Sequence, residues 1–370
     1  PASPSADAAP ASPAAPTPAP SPVPARAGEG EYAVRDLPGG GRALAAGDIL
    51  GEGRVEIVVS DGDRLSLYRW DEQQLSWRWD EAARGGRRIV GLDAADVDGD
   101  GRAEVLVSAV TWGRAATEIR SWRGGRLEVI GTADGLYLRS VPRPGAAPLL
   151  LGQRAGIDEV LAGRVEEYRW RDGSVERVDG TALPRQAGIF GLALAAAGSP
   201  AACYVLDRNG YLFAFDAEGK ALWRSARTYG GYPPPLREQD LGGGWSLEGQ
   251  AFDEAMQAFQ GRLLAEATPA GTRLIVPRNY SDSMIVLTRM RGIGKGEVVV
   301  LEAQPGSFSL EEEGRSRSFD GYVADLARGD VDRDGTVETL FLVNRNAGVL
   351  LGERARLVAW RPPGRFAEGK

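Results

Sequence analysis

Residues 95–106 read ADVDGDGRAEVL, and two further stretches share that grammar: GDILGEGRVEIV over 47–58 and GDVDRDGTVETL over 329–340. The first pair superposes without a gap at a spacing of 48 residues, and Asp96 to Asp330 spans 234 residues, five units of about 47. A period of that length marks blade-sized repeats of several strands each, the organisation of a β-propeller. After the first loop come a strand over 55–60, a turn at Asp61-Gly62-Asp63, a strand over 64–70 and a third over 75–79, with Leu75, Trp77 and Trp79 expected on one face. An aromatic recurs at strand ends as Trp70, Trp122, Trp170, Phe215 and finally Trp360, the first four at spacings of 52, 48 and 45. A fourth unit lacks the acidic loop but keeps turn signals at Asn209-Gly210 and Glu218-Gly219.

Between Phe215 and Trp360 lie 145 residues, about three periods, with one clear unit whose strands fall near 274–276, 284–288 and 297–301. The excess sits over 228–270. There Phe252, Ala255, Met256, Phe259 and Leu263 follow helical spacing, so an amphipathic helix is expected within 246–267, inserted between blades. Six blades plus this insertion is the preferred architecture, with seven blades as the alternative. The insertion carries Tyr229, Tyr232, prolines at 233–235 and Trp245. It is expected either to project as a partner-contacting element or to pack over a blade edge.

Composition agrees with an all-β domain and excludes several functions. The chain has 50 Gly, 23 Pro, 9 Trp, 10 Tyr and 9 Phe, rich in turn formers and in residues that suit a pleated surface. There is no histidine, which removes the commonest general base and the His-dependent nucleophile systems. Cys203 is the single cysteine and lies in an apolar run, so it reads as a small core residue. A net charge of -7 argues against nucleic acid as a main partner. No apolar run reaches the length of a membrane-spanning helix. Residues 1–29 are almost purely Pro, Ala and Ser and read as a disordered, semi-rigid tether, followed by the propeller over 30–362 and a tail over 363–370. The start inside that tract is expected to be a processing boundary, with a targeting segment or another domain upstream.

The chemistry lies in the acidic loops. Asp96, Asp98, Asp100 and Glu104 stand at positions 1, 3, 5 and 9, with the carbonyl of Arg102 at position 7. The last unit repeats the pattern with Asp330, Asp332, Asp334, the carbonyl of Thr336, and Glu338. Hard oxygens at this density, with glycines permitting the turn, suit a Ca²⁺ ion that takes six to eight oxygen ligands. Two ions are therefore expected. The first unit offers Asp48, Glu52 and Glu56 but has Leu50 at position 3, so its site reads as lost or weakened. A strand, not a helix, follows each loop, and at the other end of the domain residues 31–37 are expected to pair with the last blade and close the ring, since 361–364 (RPPG) cannot continue a ladder.

The loops DVDGDGRAEVLV and DVDRDGTVETLF resemble those of the FG-GAP/VCBS repeat family, whose members include the integrin α-subunit propeller. The segments over 149–170, 211–225 and 318–335 are similar to bacterial exported lipoproteins that carry such a propeller behind a Pro-rich tether. The resemblance implies a calcium-bound propeller in the periplasm, tethered at the outer membrane, or outside the cell, and implies no reaction. The expected function is thus a protein-interaction or assembly module, not an enzyme, with a protein partner and glycan as a further one. The alternative is an envelope polysaccharide-binding or polysaccharide-degrading enzyme, for which Glu238, Asp240 and Asp253 are the nearest carboxylates and read more simply as solvated surface charges.

Overall fold

A computed structural model describes residues 32–71, 74–112, 114–144, 146–156, 161–180, 183–207, 209–230, 261–269, 271–280, 294–303, 307–346 and 353–362. The first strand is β1 (Tyr32–Asp36). Blade 1 is the antiparallel meander β2 (Ala43–Gly47), β3 (Glu56–Ser60), β4 (Arg64–Asp71) and β5 (Gln74–Ala82). Blade 2 is β6 (Arg87–Ala95), β7 (Glu104–Thr111), β8 (Arg114–Arg123) and β9 (Arg126–Asp134). Blade 3 is β10 (Leu136–Arg143), β11 (Ala146–Arg154), β12 (Ala162–Arg171) and β13 (Ser174–Arg177). Blade 4 is β14 (Leu192–Leu194), β15 (Cys203–Leu206), β16 (Tyr211–Phe215) and β17 (Ala221–Thr228). Blade 5 is β18 (Leu264–Thr268), β19 (Gly271–Tyr280), β20 (Lys295–Ala303) and β21 (Leu310–Arg315), with β22 (Phe319–Asp320) also paired to β20. Blade 6 is β23 (Tyr322–Gly329), β24 (Glu338–Asn346) and β25 (Glu353–Trp360), and its fourth strand is β1, antiparallel to β25 from Tyr32 opposite Trp360 to Asp36 opposite Arg356. The described residues therefore form an all-β, six-bladed propeller whose only helical element is one 3-10 turn at Ile189–Gly191.

Position in the blade explains the sequence of each strand. The second strands β3, β7 and β24 are covered on both faces by neighbouring blades, so they read as near-continuous apolar runs such as Ile57, Val58 and Val59 or Leu340, Phe341 and Leu342, all buried. Outer strands such as β9 are mostly half-buried or exposed, with Leu127 and Ala133 the buried residues of that strand. Six hydrophobic clusters lie in the seams between blades. Leu44, Ile57 and Tyr68 of blade 1 meet Leu340 and Leu357 of blade 6, for example, and Leu65 and Leu67 of blade 1 meet Leu92 and Val105 of blade 2. The first strands of the blades contact one another around the axis.

On that axis sits a buried ion-pair network drawn from four blades. Arg262, just before β18, donates to Asp325 of β23 at 3.0 Å, to Asp93 of β6 and to the Leu92 carbonyl. Arg139 of β10 donates to the other Asp93 oxygen at 3.2 Å and to the Ile189 carbonyl at 2.8 Å, while Asp325 also accepts from Leu44 N–H at 2.8 Å. Burial opposes the charge on Arg262, but Asp325 and Asp93 more than offset it and hold its pKa above the ordinary arginine value. Pairs this buried stay favourable only while each partner keeps its hydrogen bonds, so the network commits the inner strands to one arrangement.

Three sequence expectations need correction. The end of the expected helix, 264–267, is the inner strand of blade 5: Leu264 and Ala265 are buried and pair with Ile275 and Leu274. Tertiary burial between blades decides that segment. The rest of the helix, with Phe252, Ala255, Met256 and Phe259, lies outside the described residues, as do Tyr232, 233–235, Glu238, Asp240, Trp245, Asp253 and the strand expected at 284–288. In β5, Leu75, Trp77 and Trp79 do not share a face. A bulge between the pairs Leu67–Trp79 and Tyr68–Trp77 inserts Arg78, which sends Trp79 into the seam with blade 2 against Trp122 and leaves Trp77 60% exposed. Finally, Trp360 is not the register equivalent of Trp70. Trp360 lies opposite Thr339, inside the ladder, whereas Trp70 lies one residue beyond the pair Glu56–Arg69.

Candidate metal centres

Three blades join their first and second strands by eight-residue loops of the same shape: 48–55, 96–103 and 330–337. In each, positive φ falls at the fourth and sixth positions, Gly51 (72°) and Gly53 (66°), Gly99 (84°) and Gly101 (88°), Arg333 (64°) and Gly335 (86°). Arg333 adopts this left-handed conformation without glycine's freedom, at a cost of about 1 kcal/mol. The leading aspartate caps the turn from inside: Asp48, Asp96 and Asp330 accept from the N–H of Gly53, Gly101 and Gly335 at 2.8, 2.9 and 3.0 Å. The closing glutamate reaches back to the second position, so Glu56, Glu104 and Glu338 accept through Oε2 from Ile49, Val97 and Val331 N–H at 3.0, 3.1 and 3.0 Å. The loops stand side by side, since blades 6, 1 and 2 are neighbours. Ala103 N–H donates to the Asp48 carbonyl at 2.8 Å, and a Cβ on Gly51 would come within 2.3 Å of the Arg102 side chain.

Not all the expected ligands converge. In blade 2, carboxylate oxygens of Asp96, Asp98 and Glu104 lie within 4.8 Å of one another, and in blade 6 those of Asp330, Asp332 and Glu338 do the same. Asp100 is turned to Arg102, accepting from its backbone N–H at 2.8 Å and from its guanidinium at 2.8 Å. That pairing holds the Asp100 carboxyl below its usual range. Asp334 likewise accepts from Thr336 N–H at 2.8 Å and pairs with Arg361 at 2.6 Å. The N–H groups of Arg102 and Thr336 thus donate to the fifth-position aspartates.

The sequence reading missed the residue that each loop glutamate meets across the sheet. Glu56 lies opposite Arg69, Val105 opposite Arg120, and Thr339 opposite Trp360. One step along the last two ladders puts Glu104 opposite Ser121 and Glu338 opposite Arg361. Arg69 donates to Glu56 Oε1 through Nε at 2.9 Å and Nη2 at 2.6 Å, and pairs with Glu52 at 2.8 Å. Arg361 donates to Glu338 Oε1 at 2.6 Å and pairs with Asp332 at 2.7 Å and Asp334 at 2.6 Å. Burial works against the Arg361 charge, and these carboxylates outweigh it, raising its pKa above the ordinary value. In blade 2 the corresponding Glu104 oxygen, Oε1, has no hydrogen-bond partner although Glu104 is 0% exposed. Burial, with Asp98 and Asp100 adding to it, pushes the Glu104 pKa up; the Val97 N–H and the nearby Ser121 hydroxyl oppose that rise without cancelling it.

Blades 3 and 5 have no room for such a loop: β10 ends at Arg143 with β11 starting at Ala146, and β18 ends at Thr268 with β19 starting at Gly271. Blade 4 has one of equal length, 195–202, but it reads AAAGSPAA and offers no carboxylate.

Residues 32–107, which span β1, blade 1 and the loop of blade 2, match the family model of the FG-GAP-like repeat. The propeller thus carries an FG-GAP-like repeat. No curated protein matches it significantly. Among solved structures, this propeller is similar to a putative oxidoreductase (glucose dehydrogenase) of Thermus thermophilus, at 13% identity over 90% of this chain and 100% of that one, TM-score 0.44. It is similar also to Saccharomyces cerevisiae Sqt1, at 9% identity over 90% of this chain and 98% of that one, TM-score 0.39. A third is BBS1N in complex with ARL6DN, at 14% identity over 88% of this chain and 80% of that one, TM-score 0.39.

The two acidic clusters of the propeller could each hold a metal ion, and the fit differs between them. In blade 2 the donor set is all oxygen, and the buried glutamate of the cluster has one oxygen without a hydrogen-bond partner, which suits a hard divalent cation. In blade 6 a guanidinium already lies against three carboxylates.

Proposed function

We propose that this propeller is a calcium-stapled interaction or assembly module of the bacterial cell envelope or surface, exported and held out on its Pro-rich tether. Its partner is a protein, with glycan as a further one, and it performs no catalysis. The observation that carries the calcium reading is Glu104: a fully buried carboxylate with one oxygen unpartnered and two aspartates within 4.8 Å is costly to leave without a cation. The axis supports a binding role over catalysis, because its Asp93, Arg139, Arg262 and Asp325 side chains are ion-paired with one another, with Arg139 Nη2 left without a hydrogen-bond partner. The envelope setting is supported by the tether composition and the acidic balance of the chain. The test is a pull-down from solubilised cell envelope with the full chain as bait, with calcium and with EDTA, beside an activity screen on envelope polysaccharides. A partner retained with calcium and released by EDTA is the expected result. Polysaccharide cleavage, or no retained partner in either condition, would contradict it.

A further inference from the structure

The three acidic loops share one backbone turn, one capping aspartate and one back-bonded glutamate, so a difference in what they hold must arise elsewhere. It arises on the strand that faces the loop glutamate across the sheet. In blades 1 and 6 the position opposite that glutamate is arginine, Arg69 or Arg361, and its guanidinium takes the glutamate Oε1. In blade 2 that position is Ser121, too short to bring a charge, and Glu104 Oε1 stays without a partner.

We propose that Arg69 and Arg361 are built-in cations that stand where the ion would be in blades 1 and 6, so that the chain takes a single Ca²⁺, in blade 2, held by Asp96, Asp98 and Glu104. This assignment rests on the calcium reading above and refines it from two ions to one.

The argument is one of competition for the same oxygens. Arg361 engages Asp332, Asp334 and Glu338 at 2.6–2.7 Å, and its planar fork of donors suits several carboxylates at once. A calcium ion entering blade 6 must displace that guanidinium from all three carboxylates and then sit beside it, a dication next to a cation. Among the buried side-chain oxygens of the two loops, Glu104 Oε1 in blade 2 and Asp330 Oδ1 in blade 6 lack a hydrogen-bond partner, but in blade 6 the three carboxylates beside it are already held by Arg361. Blade 1 goes further in the same direction. Leu50 removes the third-position carboxylate, and Arg69 pairs with both remaining glutamates. The guanidinium is tethered, so its effective concentration at the loop does not fall when calcium is scarce. Blades 1 and 6 therefore keep their loops neutralised under chelation, and blade 2 alone responds to calcium.

The experiment counts ions on the full chain by native mass spectrometry across a titration with Ca²⁺ alone, using wild type, Asp98→Asn, Asp332→Asn, Arg361→Ser and Ser121→Arg. The expected counts are one, none, one, two and none. Two ions on wild type, or an ion lost from Asp332→Asn and kept by Asp98→Asn, overturns the assignment while leaving the calcium reading in place. One ion on folded Arg361→Ser overturns the role given to the guanidinium. No ion on wild type removes the calcium reading, and this refinement with it. The two Asp→Asn changes are on exposed loop positions, so the outcome does not depend on whether the arginine variants fold.

Discussion

The loops of blades 2 and 6 carry the same carboxylate spacing, turn conformation and glutamate back-bond, yet they present opposite electrostatic situations. In blade 6 a guanidinium holds three of the loop carboxylates, whereas in blade 2 no guanidinium is hydrogen-bonded to the buried Glu104 and its Oε1 is without a hydrogen-bond partner. The difference lies in Ser121 against Arg361, residues that follow the loop glutamates by 17 and 23 positions. A repeat's affinity for a cation is thus set by the sheet behind the loop as much as by the loop. Blade 1, with Arg69 and without the third-position aspartate, shows the guanidinium solution carried to completion.

The largest effect expected comes from the strand that supports the blade 6 side of this comparison. β1 covers β25, backs Trp360 next to Arg361, and is continued by Leu37 N–H donating to the Ala355 carbonyl at 2.9 Å. Removing the chain up to residue 40 uncovers the β25 edge and opens the ring, while removal up to residue 28 leaves the pairing intact. The first truncation is expected to lower the calorimetric melting temperature more than any single substitution, and the second to leave it unchanged. Equal melting temperatures for the two would contradict the contribution given to β1.

A smaller effect separates blade 1 from blade 2. Glu56→Ala strips Arg69 of its closest partner and removes the acceptor of Leu50 N–H and one of the two acceptors of Ile49 N–H, which keeps the Gly47 carbonyl at 2.9 Å. Breaking such a buried pair is expected to cost about 3 kcal/mol in urea unfolding, near the low end because Glu52 stays beside the guanidinium. The loss should be the same with calcium and with EDTA. A loss that appears only with calcium present would mean that blade 1 binds the ion.

How much of this was legible in the sequence depended on whether the signal was local. The acidic loops follow from spacings within one repeat, and their phase and the blade count from the spacing between repeats. Register across a sheet does not. Aligning the aromatic strand ends pairs Trp360 with Trp70 and so matches Arg69 to Ala359, which hides Arg361; the ladder pairs Glu338 with Arg361 as it pairs Glu56 with Arg69. The outward turn of Asp100 and Asp334 was equally hidden, because the guanidiniums that draw them are placed by side-chain geometry, not by spacing. The bulge at Arg78 broke an alternation that the sequence of β5 keeps. The range expected to include a helix, 246–267, ran past its last spaced residue, Leu263, into 264–267, where pairing with β19 and burial of Leu264 and Ala265 between blades make a strand.

The measurement that bears most directly on the contrast between blades 2 and 6 is calorimetric melting of wild type, Asp98→Asn and Asp332→Asn, each with calcium and with EDTA. An ion bound only by the folded state stabilises it by about 2.7 kcal/mol at a concentration one hundred times its dissociation constant. Wild type and Asp332→Asn should therefore each melt several degrees higher with calcium than with EDTA, and Asp98→Asn should melt at the same temperature in both. If Asp332→Asn is the variant that loses its calcium response while Asp98→Asn keeps it, the cation belongs to blade 6 and the account is wrong.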